Sequence, residues 1–193
     1  VLWGAPSRDV GRGVAMDIDP RHRGCECWAA GDGLGELFNC KGEKIGPKPR
    51  SCNMGVWWDA DPLRELLDGT TVRKWDYENG RAVPLLQARD YGCAANNGSK
   101  ANPCLCADIL GDWREEVIWR TRDNRELHVF TTTVPADRRL VTLIHDPVYR
   151  LGVAWQNVAY NQPAHPGFYL GDGMNPPPRP AIRTVPYRQE RRE

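Results

Sequence analysis

The sequence has no surplus of charge of either sign. Its 26 Lys and Arg face 25 Asp and Glu, a net charge of +1 over 193 residues, and no long run of like charge interrupts the balance. The basic excess of a nucleic-acid binder is therefore absent. No stretch approaches the roughly 18 consecutive apolar residues of a membrane span. The first residues, Val1-Leu2-Trp3-Gly4, carry neither an initiator Met nor a signal pattern, so targeting is not legible there. Paired C-x-x-C is also missing. The seven cysteines are odd in number and their close pairs are C-x-C (Cys25 and Cys27, Cys104 and Cys106), which argues against a zinc ribbon. Cys52 and Cys104 joined as a disulfide, or buried thiols throughout, both stay open. There is no nucleophile elbow, phosphate-binding loop or dinucleotide fingerprint.

What is present is turn chemistry and short apolar runs. With 19 Gly, 16 Pro and little helical periodicity, the chain reads as all-β. Strands are expected from Val14 to Asp17, Glu26 to Ala30, Glu36 to Asn39, Met54 to Trp58, Glu65 to Leu67, Thr71 to Trp75, Glu116 to Thr121 and Leu127 to Thr133. Turn signals such as Asp68-Gly69 and Asn79-Gly80 separate them.

An internal repeat overlies these strands. Asp17-Ile18 leads to Trp28 in 11 positions, and Asp108-Ile109 leads to Trp119 by the same step. Asp59-Ala60-Asp61, running into Glu65-Leu66-Leu67, is a third acidic loop followed by an apolar hairpin. Starts at Asp17, Asp59 and Asp108 are 42 and 49 residues apart, near the roughly 40 to 50 of a four-stranded propeller blade. The expectation is a β-propeller of which this chain supplies three blades, as a fragment of a larger ring. Residues 1–174 would form these blades. Residues 175–193, proline-rich and then charged with no apolar face, would form a disordered tail.

The acidic loops suit calcium, a hard cation that takes six to eight oxygens. Asp108, Asp112 and Glu116 occupy positions 1, 5 and 9 of one loop, with Gly111 permitting a tight turn. Asp17, Asp19 and Glu26 form a looser version, and Asp59, Asp61 and Glu65 the weakest. Each is alternatively an exposed acidic turn, and a bound ion there would more often staple the fold than perform chemistry. A second feature is the polar run Asn96-Asn97-Gly98-Ser99-Lys100-Ala101-Asn102. Amide, hydroxyl, glycine backbone and one cation suit a sugar acid. The same run is alternatively an ordinary turn or, through Asn97-Gly98-Ser99, a glycosylation acceptor. Arg12, His145 beside Asp146, and Tyr160 in Tyr160-Asn161-Gln162-Pro163 are further candidates. For His145 a structural role is favoured. Alternation puts Trp57 and Trp58 on opposite faces of a strand, so core packing explains one of them.

The strings D-V-G-R-G-V-A-M-D-I-D-P-R, S-C-N-M-G-V-W-W-D-A-D-P-L-R-E-L-L-D-G-T-T, N-N-G-S-K-A-N-P-C-L-C-A-D-I-L-G-D-W-R-E-E-V-I-W-R-T and H-D-P-V-Y-R-L-G-V-A-W-Q-N-V-A-Y-N-Q-P together resemble polysaccharide lyase family eleven, the rhamnogalacturonan lyases. The resemblance runs from about Asp9 to Met174. It implies an eight-bladed propeller with a native chain about three times as long, this piece giving its last blades. It places Asn97, Gly98, Ser99 and Lys100 on the substrate, Ser99 keeping the hydroxyl of the family's usual Thr. It implies a substrate-contacting Tyr160 and an arginine best matched by Arg12, with Arg21 as rival. An Asn and an Asp that the family also uses come from earlier blades.

The implied reaction is β-elimination at galacturonate in rhamnogalacturonan I, giving 4,5-unsaturated ends without consuming water. Lys100 is expected as base, Arg12 or calcium as the partner of the substrate carboxylate, and Tyr160 as donor to the leaving oxygen. The expected protein is a monomer with Ca2+ as cofactor, secreted, periplasmic or at the cell surface. A non-catalytic calcium-binding propeller for carbohydrate or protein is the alternative. A glycoside hydrolase is disfavoured, since no isolated carboxylate pair stands outside the acidic loops.

Overall fold

A computed structural model describes residues 1, 3–4, 6, 8–31, 35–158, 162–181 and 183–184. The strands are β1 (Gly13–Met16), β2 (Glu26–Ala29), β3 (Glu36–Phe38), β4 (Lys44–Pro47), β5 (Met54–Val56), β6 (Glu65–Asp68), β7 (Thr71–Asp76), β8 (Arg81–Gln87), β9 (Cys93–Ala94), β10 (Leu105–Ala107), β11 (Glu116–Thr121) and β12 (Leu127–Phe130). One helix, α1 (Pro147–Trp155), follows them. All pairings are antiparallel. They make three four-stranded sheets, β1-β2-β3-β4, β5-β6-β7-β8, and a third in which β11 pairs β10, β12 and β9. Arg120 pairs Leu127 of β12 and also Ala94 of β9, so β9 and β10 lie along the same edge of β11. Residues 95–104 leave that edge and rejoin it.

Strand alternation explains how the sheets pack. From the middle sheet, Met54, Val56, Leu67 and Val72 join Cys106, Val117 and Trp119 of the third sheet in one buried cluster. Leu66 and Trp75 point the other way, into a cluster with Val14, Met16, Trp28 and Leu37 of the first sheet. The middle layer is thus covered on both faces, and β6 reads as a continuous buried run. Two indoles stitch the layers. Trp28 Nε1 donates to the Ser51 carbonyl at 2.7 Å and Trp119 Nε1 to the Gly69 carbonyl at 2.9 Å, so the repeated tryptophan has one job in both copies. Truncating either to Ala would cost about 3–5 kcal/mol.

A third cluster, Trp57, Trp113, Leu143, Tyr149, Ala164 and Leu170, seats α1 and the following segment. Asp146 caps α1 by accepting from Tyr149 N at 2.8 Å, and Pro147 sits in its first turn. Arg64, 2% exposed, ties this end together. Its backbone N–H donates to the Asp17 carbonyl at 2.7 Å. Its guanidinium reaches Glu115 at 3.3 Å and the Ala164 carbonyl at 2.8 Å and lies 4.0 Å over the Trp57 ring.

The propeller expectation is corrected. The chain forms three stacked antiparallel sheets in a sandwich-like arrangement, with no closed ring or barrel among the described residues. A repeat of 42 and 49 residues encodes a four-stranded unit and its packing on the next one, and those form as expected. Closure depends on contacts between the first and last units, which no local period encodes. The all-β class stands, with one helix that the sequence reading passed over. Of the expected tail, 175–181 and 183–184 are described and contain no strand or helix.

Candidate functional site

One short strand in each sheet connects two kinds of loop. β1, β5 and β10 each run from a polar segment (Arg12, Asn53 and residues 97–102 respectively) into an acidic loop starting at Asp17, Asp59 or Asp108. At about 3.3 Å per residue, strands of three or four residues hold the two ends roughly 10 Å apart. β6 returns from the acidic end at Glu65 to the polar end at Asp68.

At the polar end the three sheets meet on Asn53, which is 3% exposed. Its Oδ1 accepts from Arg12 Nη1 at 2.7 Å. Its Nδ2 donates to Asp68 Oδ1 at 2.9 Å and to the carbonyls of Lys100 at 2.9 Å and Ala101 at 3.2 Å. Arg12 comes from the first sheet, Asp68 from the second and Lys100 from the third. The loop itself is a one-turn 3-10 segment, Gly98–Lys100, flanked by left-handed Asn97 (φ 65) and Ala101 (φ 50). Left-handed backbone at Ala is costly and persists only where the surroundings impose it. Here Gly69 N grips the Ala101 carbonyl at 2.9 Å, and Asn96 bridges to Asn102. Just beyond α1, Asn157 bonds Asn102 and the Cys104 carbonyl, and Gln156 Oε1 and Nε2 bond the Cys106 backbone. Arg12, Asn97, Gly98, Ser99 and Lys100 thus share one end of the molecule. Tyr160 lies outside the described residues. Arg21 stands elsewhere, paired with Asp19 at 2.6 Å and 5.1 Å over the Tyr77 ring. His145 ends a 3-10 turn just before α1.

At the acidic end one glutamate recurs as the first residue of the strand that follows each acidic loop. Glu26, Glu65 and Glu116 each use Oε2 to accept two backbone amides of the preceding loop, from Ile18 and Asp19, Trp58 and Asp59, and Ile109 and Leu110. They differ at the other oxygen. Glu116 Oε1 accepts from Thr131 Oγ1 at 3.1 Å. Glu65 Oε1 receives the Lys74 ammonium at 2.6 Å, which also meets Asp61 at 2.8 Å and Asp59 at 2.9 Å. Among the described residues Glu26 Oε1 has no hydrogen-bond partner, and neither has Asp17 Oδ1.

The three expected metal sets therefore differ in kind. Asp59, Asp61 and Glu65 bring carboxylate oxygens within 4.8 Å of one another, the one such trio among the described residues, and Lys74 already sits on them. Burial would lower the Lys74 pKa, but the Glu65 charge and bonds to all three carboxylates outweigh it and raise it. In the loop of Asp108, Asp112 and Glu116, Asp108 accepts from Gly111 N, Thr142 Oγ1 and Leu143 N, and Asp112 pairs with Arg114. Burial raises Glu116. In the first loop Asp19 pairs with Arg21. Burial pushes Asp17 up to about 6 and Glu26 up to about 8, against the hydrogen bonds they accept. That is the environment in which a bound cation would offset the cost of charge.

The residues missed by sequence reasoning are Asn53 and Lys74. A lone Asn before a strand and a Lys within one carry no local signature, since both roles arise from what the fold brings to them. All seven cysteines are free, so Cys52 and Cys104 form no disulfide.

A family model described as "Rhamnogalacturonan lyase family 11, C-terminal domain" matches residues 1–180. The chain is similar to the rhamnogalacturonan endolyase YesW of Bacillus subtilis strain 168, 57% identical over 95% of this chain and 29% of that protein. It is similar to the rhamnogalacturonan exolyase YesX of the same strain, 51% identical over 94% of this chain and 32% of that one. Among solved structures, the Bacillus licheniformis rhamnogalacturonan lyase PL11 superposes with a TM-score of 0.89 at 57% identity, covering 95% of this chain and 31% of that one. The chain spans about a third of the length of the relatives it matches.

Proposed function

The chain belongs to rhamnogalacturonan lyase family 11, as its C-terminal domain, and from that membership we propose that it supplies substrate-binding and catalytic residues to a lyase that cleaves rhamnogalacturonan I by β-elimination. One observation carries the reading: Arg12 and the loop bearing Lys100 come from different sheets and are bonded to the same buried amide, Asn53. A uronate placed between a guanidinium and a loop rich in amide, hydroxyl and glycine N–H groups has a partner for its carboxylate and for its hydroxyls.

In the proposed step Lys100 removes the C5 proton of galacturonate. The C–H electron pair becomes the C4–C5 double bond as the C4–O4 bond breaks. Arg12 neutralises the carboxylate, which takes up enolate-like charge in the transition state, a contribution on the order of 3 kcal/mol. Tyr160 donates a proton to the departing glycosidic oxygen, which leaves galacturonate C4 as the anomeric hydroxyl of rhamnose. The polymer is a cell-wall pectin, so the reading places the protein outside the cytoplasm, secreted, periplasmic or at the cell surface, acting as a monomer.

Calcium is assigned a structural role. The buried and unpartnered oxygens of Asp17 and Glu26 fit a hard cation, which would staple the first sheet's acidic loop. That loop lies a strand's length from Arg12 and Lys100, so the carboxylate chemistry falls to Arg12.

The test joins this chain to the portion of the Bacillus subtilis endolyase that it does not match and follows the ultraviolet absorbance of unsaturated uronate on rhamnogalacturonan I. Product formation that Lys100→Ala abolishes, with folding intact, is the expected result. No product from the unsubstituted hybrid sinks the lyase reading, and activity retained by Lys100→Ala removes that residue from its role.

A further inference from the structure

The groove between the first and second sheets concentrates positive charge in a way that the elimination step does not use. It encloses about 540 Å³, and Lys48, Arg50, Arg73 and Arg81 line it against a single carboxylate, Asp68. Four cations in one groove stand out on a chain whose net charge is only +1. Lys48 donates to the Ala29 carbonyl and Arg81 pairs with Asp76 at 3.0 Å. Arg50 and Arg73 form no ion pair among the described residues. Like charges gathered around a partly enclosed space are held there at an electrostatic cost that an anionic ligand would relieve.

The position of the groove gives the ligand its chemistry. Asp68 is at once part of its lining and the acceptor of Asn53 Nδ2, whose other bonds hold the Lys100 carbonyl. The groove therefore begins where the polar end stops and runs along β6 and β7, with the indole of Trp75 contributing apolar wall. Gly80, left-handed at φ 62, lets the β7–β8 turn close against Pro47. A Cβ there would stand 2.9 Å from the Pro47 ring, so the width of the groove depends on this glycine.

We propose that this groove is an accessory subsite for a second uronate of the same polysaccharide, its carboxylate read by Arg50 and Arg73. The proposal rests on the lyase reading for the identity of the polymer, but binding alone tests it. Alternation of rhamnose and galacturonate puts a carboxylate on every second sugar, so a chain seated at Arg12 presents further carboxylates to whatever lies beside Asp68.

The experiment is equilibrium titration of the chain with a rhamnogalacturonan hexasaccharide and with its carboxyl-reduced form. Loss of two charge-assisted contacts should weaken hexasaccharide binding by Arg50→Gln/Arg73→Gln at least about tenfold, and leave the weaker binding of the reduced sugar unchanged. Should the double variant fold poorly, Arg50→Gln alone, a surface change, should still show several-fold weakening. Wild-type affinity in the folded variants overturns the proposal, as does absence of hexasaccharide binding to the unsubstituted chain. Equal displacement by inorganic sulfate would mark a general anion patch and overturn it too. An inactive hybrid with this charge-dependent binding intact would sink the lyase reading and leave the subsite standing.

Discussion

Arg12 Nη1 lies 2.7 Å from Asn53 Oδ1, across 41 positions of sequence, and the other end of the same amide holds the Lys100 carbonyl. One side chain therefore sets the position of two proposed catalytic groups. Asn53→Ala would remove one donor from Asp68 and from the carbonyls of Lys100 and Ala101, the last keeping Gly69 N, at a cost of about 1–3 kcal/mol. In the hybrid enzyme kcat should fall roughly ten- to hundredfold through misplacement. Asn53→Asp/Asp68→Asn keeps an acceptor for Arg12 while losing the donor to the loop. A KM near that of wild type with depressed kcat is expected of it. Equal kinetics in all three proteins would show that Asn53 positions nothing.

Lys74 occupies the second acidic loop as a tethered cation. Replacing it with Met leaves three converging carboxylates with no counter-charge. The variant should lose about 3 kcal/mol in the presence of chelator and recover much of that on addition of calcium, because a ligand bound only by the native state stabilises it. The unsubstituted loop should show no such response. Thermal denaturation of both proteins with and without calcium checks this, and a calcium shift in Lys74→Met no larger than that of the unsubstituted protein, which shares the first loop's site, would mean that the trio does not accept the ion.

The first acidic loop should reveal itself through pH. Asp17 and Glu26 have folded pKa values of about 6 and about 8, above the unfolded carboxylate range near 4. Between these limits the native state binds more protons than the unfolded one, so stability falls as pH rises from about 4 through 8 and then levels off. Denaturant midpoints in chelator should follow that slope. Calcium should flatten it, because the ion stabilises the ionised pair. Glu26→Gln should lessen it in chelator, leaving the shares of Asp17 and of the other carboxyls that burial raises, Glu65, Glu115 and Glu116, and a flat profile in the unsubstituted protein would contradict the assignment.

Thiol labelling separates the cysteines. Cys40 is exposed, whereas Cys106 is buried and Cys25 is pushed up to about 11 by burial. At mildly alkaline pH an alkylating reagent should modify Cys40 first, reach the half-buried Cys25 slowly and leave Cys106 to react only on unfolding. Mass mapping of the modified peptides reads the order, and early loss of Cys106 would argue against the packing between the second and third sheets.

Eight strands were legible from apolar runs between turn signals, because their side chains alternate or fill a buried layer. β8 was not. Pro84 interrupts it, and Arg81 to Leu85 are exposed on the edge of its sheet, where a proline is tolerated and no burial pattern is needed. β9 and β10 are two and three residues long and take their identity from β11. The helix had a readable start in Asp146-Pro147, but its apolar residues meet a loop cluster rather than a uniform face. At the candidate site, the polar loop stood out because it is longer than a hairpin turn needs and carries a cation, and Arg12 as the best match to the family's arginine; the structure brings the two to one end of the molecule. Asn53 did not stand out, since its meaning lies in three sheets arriving at one point.

The polar loop leaves β11's edge after Ala94 and returns to it at Leu105, so its anchor points are set by backbone pairing while residues 97–100 stay outside the buried clusters. Such a segment behaves as an exchangeable cassette. On the proposed reading, substitutions at Ser99 or Lys100 would alter recognition and chemistry with little penalty to folding, whereas Asn97, left-handed at φ 65, is held to residues that tolerate that backbone, so this part of the protein can diverge in specificity among descendants while the layers beneath it stay the same.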